Sequence, residues 1–416
     1  MKTVVAPCRQ SRLGLLWHTI ALAALVVLSP LAEAGSREQA KRIFDRIAGV
    51  PADEATIDQL QALIDADAGG REGRVAAAME AMEHPSFYNV TLKNFVTPWT
   101  NRDANVFAPL NDYTATVIGM VRDDVDFRTA LYDDIIYVAN GTSAPGYSTS
   151  NNAHYEYLEQ NHANLKDVLV RRQQSAVTGL RADATAGLMT TRAAAKSFFI
   201  AGTNRAMFRF TLMNHLCNDL EQVKDVTRVP DRIRQDVTRS PGGDSRLFNN
   251  TCIGCHNGMD PLAQAFAYYD FEYDTAADPD GNNGQLVYND VGMTDPFTGT
   301  RVKKKYHINE NNFKPGYVTP DDRWDNYWRA GPNKLLGWDE SRPSGGNGAK
   351  TMGQELAHSE AFAQCQVKKV FKAVCLRNPV DSADRSEIAT ITDSFKASGY
   401  QMKQIFAETA AYCAGE

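Results

Sequence analysis

"NNTCIGCHNGMDPL", Asn249 to Leu262, carries two cysteines three positions apart, with a histidine directly after the second. Such a stretch serves a metal site, a redox dithiol or covalently attached haem. Cys252, Cys255 and His256 spell C-x-x-C-H, the attachment pattern of c-type haem. The spacing has a physical cause. Haem c forms when two thiols add across the two vinyl groups of the ring. A three-residue step is close to one helical turn, so both sulfurs reach the same edge. The adjacent histidine then falls under the iron as the proximal ligand. The expectation is one covalently attached haem c, tethered by Cys252 and Cys255 and ligated by His256.

The rivals need more than this chain offers. Zinc wants four ligands, and no second C-x-x-C exists. A dithiol oxidoreductase places C-x-x-C at a helix start in a βαβ setting, and no such strand pattern precedes Cys252. A disulfide within the motif is possible but strained. For a haem, the sixth ligand decides the chemistry. Methionine or histidine there makes an electron carrier, and an open position permits oxygen or peroxide chemistry. Met259 follows His256 by three residues and so lies beside it. Met352 ("AKTMGQ") and Met293 ("VGMTDP") lie far enough along to cross the ring and are the distal candidates, with His307 and His358 also available.

Residues 1–34 have the form of a secretory signal peptide. Lys2, Arg9 and Arg12 precede the apolar run "LGLLWHTIALAALVVL", and "AEA" ending at Ala34 fits a small-x-small cleavage site. The alternative is a retained anchor, for which the run is short. Cleavage removes three positive residues and Glu33 and takes the net charge from −6 to −8. No transmembrane segment is expected afterwards. No basic stripe stands out, which argues against a nucleic-acid partner. "RVKKKY" (Arg301–Tyr306) reads as a solvated loop or strand end. The expected location is the bacterial periplasm or the exterior. Haem attachment needs export in most settings, so the leader and the motif agree.

Six cysteines follow residue 34. With Cys252 and Cys255 committed to the motif, Cys217, Cys365, Cys375 and Cys413 allow three pairings, or remain free and buried. "DPDGNNG" (Asp278–Gly284) lacks the glycine and the glutamate of an EF-hand and reads as a turn-rich loop. The sequons at Asn89 and Asn140 carry no weight in a bacterial setting.

The fold class expected is mainly α. Residues 35–190 form a helical domain, and residues 191–416 form a haem c-binding, cytochrome c-like helical domain with a long irregular insert. Ile43, Phe44 and Ile47 share a face of "SREQAKRIFDRIAGV". Ile57, Leu60, Leu63 and Ile64 form a stripe after Thr56, a candidate N-cap. "HPSFYNVTLKNFVTPW" predicts a helix begun near Pro85 and ended before Pro98. Asn111 or Asp112 caps "YTATVIGMVRDD". "NGTSAPGYSTSNN" (Asn140–Asn152) is a loop. From Phe271 to Ala349 only short pieces such as "QLVYNDV" look strand-like, and a helical trio follows Thr351.

"CIGCHNGMDPLAQAFAYYD" resembles the planctomycete-type cytochrome c-like domain families, whose signature runs C-x-x-C-H-x-x-M-D-P-x-G-F-A-L-E-N-F-D. Cys252, Cys255, His256, Met259, Asp260, Pro261, Ala265 and Asp270 match it, while Ala263, Gln264, Phe266, Ala267 and Tyr268 depart from it. "AGTNRAMFRFTLMNHLC" and "LAHSEAFAQCQVKKVF" resemble the flanking segments, so the likeness covers about residues 195–415. It implies haem binding and redox work and names no substrate. An Asp260 carboxylate or Pro261 carbonyl near His256 could accept its ring N–H and fix the tautomer. Alternatively "MDP" starts the helix "LAQAFAYY", with Asp260 as N-cap. The expected function is electron transfer by an exported single-haem cytochrome with an unknown redox partner protein. The alternative is a haem enzyme of peroxidase or oxygenase type with an open sixth site. A third reading is a non-redox module stapled by zinc or a disulfide.

Overall fold

The computed structural model describes residues 34–199, 204–228, 230–232, 246, 248–307 and 316–415. The leader expected at residues 1–34, Ala34 apart, lies outside them. The fold is mainly α, as the periodicities predict. Its longer helices are α1 (Ser36–Ala48), α2 (Glu54–Ala66), α3 (Arg71–Ala81), α4 (Asp112–Arg122), α5 (Ala153–Gln160), α6 (Arg205–Leu216), α7 (Ile253–Ala263), α8 (Gly348–Ala357), α9 (Glu360–Cys375), α10 (Ser382–Ala397) and α11 (Met402–Cys413). Among the described residues no helix is long and apolar enough to cross a membrane.

Local chemistry sets the helix ends. Ile43, Phe44 and Ile47 are buried on one face of α1, which stops at Gly49 in the left-handed region (φ 71°). Asp53, not Thr56, caps α2. Its carboxylate accepts the Thr56 N–H at 2.8 Å, so the helix begins ahead of the apolar stripe. Asn111 caps α4 by accepting the Thr114 N–H at 3.0 Å. The stretch after His84 is not one α-helix. A π-turn (Phe87–Leu92), a short α-turn (Lys93–Val96) and a 3₁₀ turn (Thr97–Thr100) follow each other. Pro98 sits inside the last turn, at an N-terminal position where its missing N–H has no helical partner to lose.

The N-terminal helices and the C-terminal ones share a contiguous core. α1, α2 and α3 pack on one another, and α11 lies against α3 and α9. Phe87 and Phe95 each meet the edge of Phe406 from α11. Two disulfides fasten this region, Cys217–Cys365 joining the end of α6 to α9 and Cys375–Cys413 joining α9 to α11. They select one of the three pairings left open by the sequence.

Three antiparallel two-stranded ribbons complete the fold: β1 (Ile136–Ala139) with β2 (Leu169–Arg172), β3 (Tyr269–Glu272) with β4 (Gln285–Tyr288), and β5 (Arg323–Asp325) with β6 (Gly345–Asn347). The last two span the insert expected from Phe271 to Ala349. Tyr269 pairs with Tyr288 and Arg323 with Asn347. The β5–β6 ribbon packs on α7 through β5, and the β3–β4 ribbon packs on the short helix Arg192–Phe198.

Candidate functional site

The motif forms the first turns of α7. Cys252 occupies the N-cap position, and Cys255 and His256 follow within the helix. Both sulfurs therefore stand one turn apart on the same helical end. Neither is in a disulfide, and both are half-buried. Because the other four cysteines after residue 34 are paired, the only free thiols in that stretch are those of C-x-x-C-H.

The segment before the motif holds the helix in place. The Asp225 N–H donates to Gly254 O at 3.0 Å. Asn257, buried, donates from Nδ2 to Asp225 O (3.1 Å) and Arg228 O (3.0 Å). The Cys255 thiol points at Leu220 O, 3.5 Å away. Burial and the Glu221 carboxylate push that thiol up from its ordinary range. A reactive dithiol wants the opposite, a thiolate stabilised by a helix N-terminus or a cation.

His256 and Asp260 are four apart and share a stripe of α7. His256 Nδ1 lies 3.1 and 3.2 Å from the two Asp260 oxygens. Asp260 also receives a two-pronged contact from Arg205, Nε to Oδ1 at 2.6 Å and Nη2 to Oδ2 at 2.8 Å. The carboxylate side chain is fully buried, and the side chains of Arg205 and His256 are 13% and 19% exposed. Burial alone would raise the Asp260 pKa. Arg205 and His256 outweigh it and hold the carboxyl well below its usual range. A carboxylate accepting at Nδ1 fixes the ring with its proton there and its lone pair on Nε2, the nitrogen that can ligate a metal.

Asp260 is therefore mid-helix and is not the N-cap of a new helix. Pro261 lies inside α7 as well, and the chain runs on through a 3₁₀ turn, Gln264–Phe266. The interior proline gives up one backbone hydrogen bond. The far end of α7 is clamped by Asn204, which donates to Phe266 O and, at 3.1 Å, to Tyr269 O. Gly258 is needed for close approach, because a Cβ there would stand 1.9 Å from Trp328 Nε1.

The distal candidates stand elsewhere in the fold. Met352 is fully buried in the core on α8, which packs chiefly on the Phe127–Leu131 and Gln264–Phe266 turns. Met293 is 51% exposed in a turn, where its sulfur accepts the Asp290 N–H at 3.2 Å. His307 is buried with Nε2 2.9 Å from Thr319 O, and His358 holds Gln354 O with Nδ1 at 2.8 Å. Arg205 was not singled out from the sequence. It lies 55 positions from Asp260, and nothing in "TNRAMFRF" signals that partner or separates Arg205 from Arg209.

Among the described residues no group of three or more His, Cys, Asp and Glu side chains converges as metal ligands. A closed zinc site asks the protein for about four donors. Haem c asks for two free thiols and one imidazole, and the residues present fit that request. The chain matches no protein-family model, no curated protein and no solved structure.

Proposed function

We propose that the protein is an exported single-haem c-type cytochrome that transfers electrons. Cys252 and Cys255 tether the haem through thioethers and His256 Nε2 ligates its iron. The observation that carries this reading is the partition of the cysteines. Four are consumed by disulfides, and the two left free stand one helical turn apart, directly before a histidine whose Nδ1 a buried carboxylate holds. When bound, the haem supplies a one-electron couple. The chain's own part is to orient. Asp260 holds the imidazole in one tautomer, and Arg205 keeps Asp260 ionised. The likeness of "CIGCHNGMDP" to cytochrome c-like domains supports the same reading, as does the leader-like start, which puts the chain in the bacterial periplasm or outside the cell. The distal ligand comes from Met352 or Met293 only if the haem-loaded chain brings either sulfur to the iron. The redox partner is another protein.

The test is a haem stain on a denaturing gel with a pyridine haemochrome spectrum. The protein is made in a periplasm with haem-attachment machinery, beside a Cys252→Ala/Cys255→Ala variant. Haem that survives denaturation in the native chain alone, with both vinyls saturated, is the expected result. A colourless native protein would overturn the proposal.

A further inference from the structure

A cavity of about 530 Å³ lies between the starts of α4 and α5, the short helix Arg192–Phe198 and the loop Asn282–Asn283. Ligand pockets run roughly 300–1,000 Å³, so the size suits a small molecule. The lining includes Asn151, Asn152, Glu156, Arg192, Lys196 and Asn283.

Its two cations are the unusual feature. Arg192 is 7% exposed, and its guanidinium donates to neutral carbonyls: Nε to Gly284 O (2.9 Å), Nη2 to Ser150 O (3.1 Å) and Asn282 O (2.5 Å). Lys196 Nζ donates to the Asn282 amide oxygen at 2.6 Å. Among the described residues neither cation makes an ion pair. Burial depresses both pKa values. Arg192 also depresses Lys196 by like-charge repulsion, and the carboxylates of Asp112, Glu156, Asp278 and Asp280 offset the burial only in part.

Two of the nearby carboxylates are committed elsewhere. Asp112 accepts the Arg192 and Ala193 backbone N–H groups (2.6 and 3.0 Å). Asp278 accepts the Asn283 N–H (2.5 Å). Glu156, on the cavity wall, accepts one bond from Asn152 (3.2 Å) and keeps its other oxygen for a donor. A negative charge between the two cations would relieve their repulsion. A second would meet Glu156.

We propose that this cavity binds a small polyhydroxylated monocarboxylate, of the sugar-acid class. Its carboxylate lies between Arg192 and Lys196, and its hydroxyls lie against Glu156 and the Asn151 and Asn152 amides. Charge-assisted bonds from two cations provide affinity. Side-chain amides, each both donor and acceptor, match vicinal hydroxyls. The site does not depend on the haem reading, since none of its lining residues belongs to the C-x-x-C-H helix.

The test is calorimetric titration of the full exported protein with D-glucuronate and D-gluconate, beside D-glucose and inorganic phosphate. Lys196→Gln is the main variant, because Lys196 is partly exposed and its loss spares the fold. Arg192→Lys, which retains the charge, is the second. The expected result is saturable binding of at least one sugar acid, with glucose and phosphate at least tenfold weaker. Lys196→Gln should lose about tenfold. Glucose binding as well as the sugar acids, an unaltered Lys196→Gln, or no binding of any probe at millimolar concentration would each overturn the proposal.

Discussion

Replacing Asp260 by Asn tests the site without needing haem. The carboxylate is fully buried and takes both prongs of Arg205 and the Nδ1 of His256. Breaking a buried ion pair by removing one partner costs about 3–5 kcal/mol. The 13% exposure of Arg205 and the carbonyl that Asn keeps put the expected loss at the lower end, about 3 kcal/mol. With a urea dependence of about 3 kcal/mol per molar, that loss moves the midpoint down by about 1 M at pH 7. A double change, Arg205→Met with Asp260→Leu, should recover much of it, because a buried pair exchanged for apolar groups is often neutral. The pH dependence has a definite sign. Asp260 is held below its unfolded value, so the native state favours the ionised form. Its contribution is present above the ordinary aspartate pKa of about 3.9 and is lost as pH falls below it. The gap between native and variant should therefore narrow between about pH 5 and pH 3. A midpoint drop under about 0.3 M at pH 7, equivalent to under about 1 kcal/mol, would refute the reasoning. So would a gap that does not narrow in acid.

Further outcomes follow from the same geometry. Removing Cys375–Cys413, which closes a span of 38 residues, should cost about 4 kcal/mol by the loop-entropy relation, read from denaturation without reductant. A loss below about 1 kcal/mol would show that this bridge constrains little. Gly258→Ala should cost about 1–3 kcal/mol by driving a methyl into the Trp328 indole, and an unchanged melting temperature would contradict the packing. Met293→Ala should change stability by less than about 0.5 kcal/mol and leave the haem spectrum as it was, since Met293 is exposed. A changed spectrum would put its sulfur on the iron. In haem-loaded protein, Asp260→Asn should raise the reduction potential, because it removes a negative charge beside His256. A potential that is unmoved would remove Asp260 from any tuning role.

Periodic elements were legible and long-range partners were not. Ile43, Phe44 and Ile47, or Ile57, Leu60 and Ile64, announce a buried face because three or four positions bring them to one side. Asn111 announces its cap by the same local logic. Asp53 was missed in favour of Thr56, since both are cap residues and only the observed bond to the Thr56 N–H decides between them. The run after His84 carries apolar residues at helical spacing, and spacing alone does not separate a π-turn from an α-turn. Within the site, Cys252, Cys255 and His256 are contiguous and so were readable. Asp260 was readable as a candidate because four residues place it over His256. Its role as N-cap was equally consistent with "MDP", and the helix running straight through it decides against that. Arg205 and the disulfide pairing depend on how α6 lies against α7 and α9, which no local pattern contains.

The cysteines also argue about one another. Cys217–Cys365 and Cys375–Cys413 suit an oxidising compartment, in agreement with the proposed export. In such a compartment Cys252 and Cys255, half-buried and one turn apart, would themselves be open to oxidation. A burial-raised thiol at Cys255 slows that reaction and does not prevent it. Thioether formation would remove both thiols at once and permanently. Thiol counting on unfolded, unreduced protein therefore separates the readings: no free thiol with haem attached, and two without it if the pair stays reduced. A Cys252–Cys255 disulfide in haem-free protein would show what attachment has to forestall, and would make the order of haem delivery and oxidation a requirement of maturation.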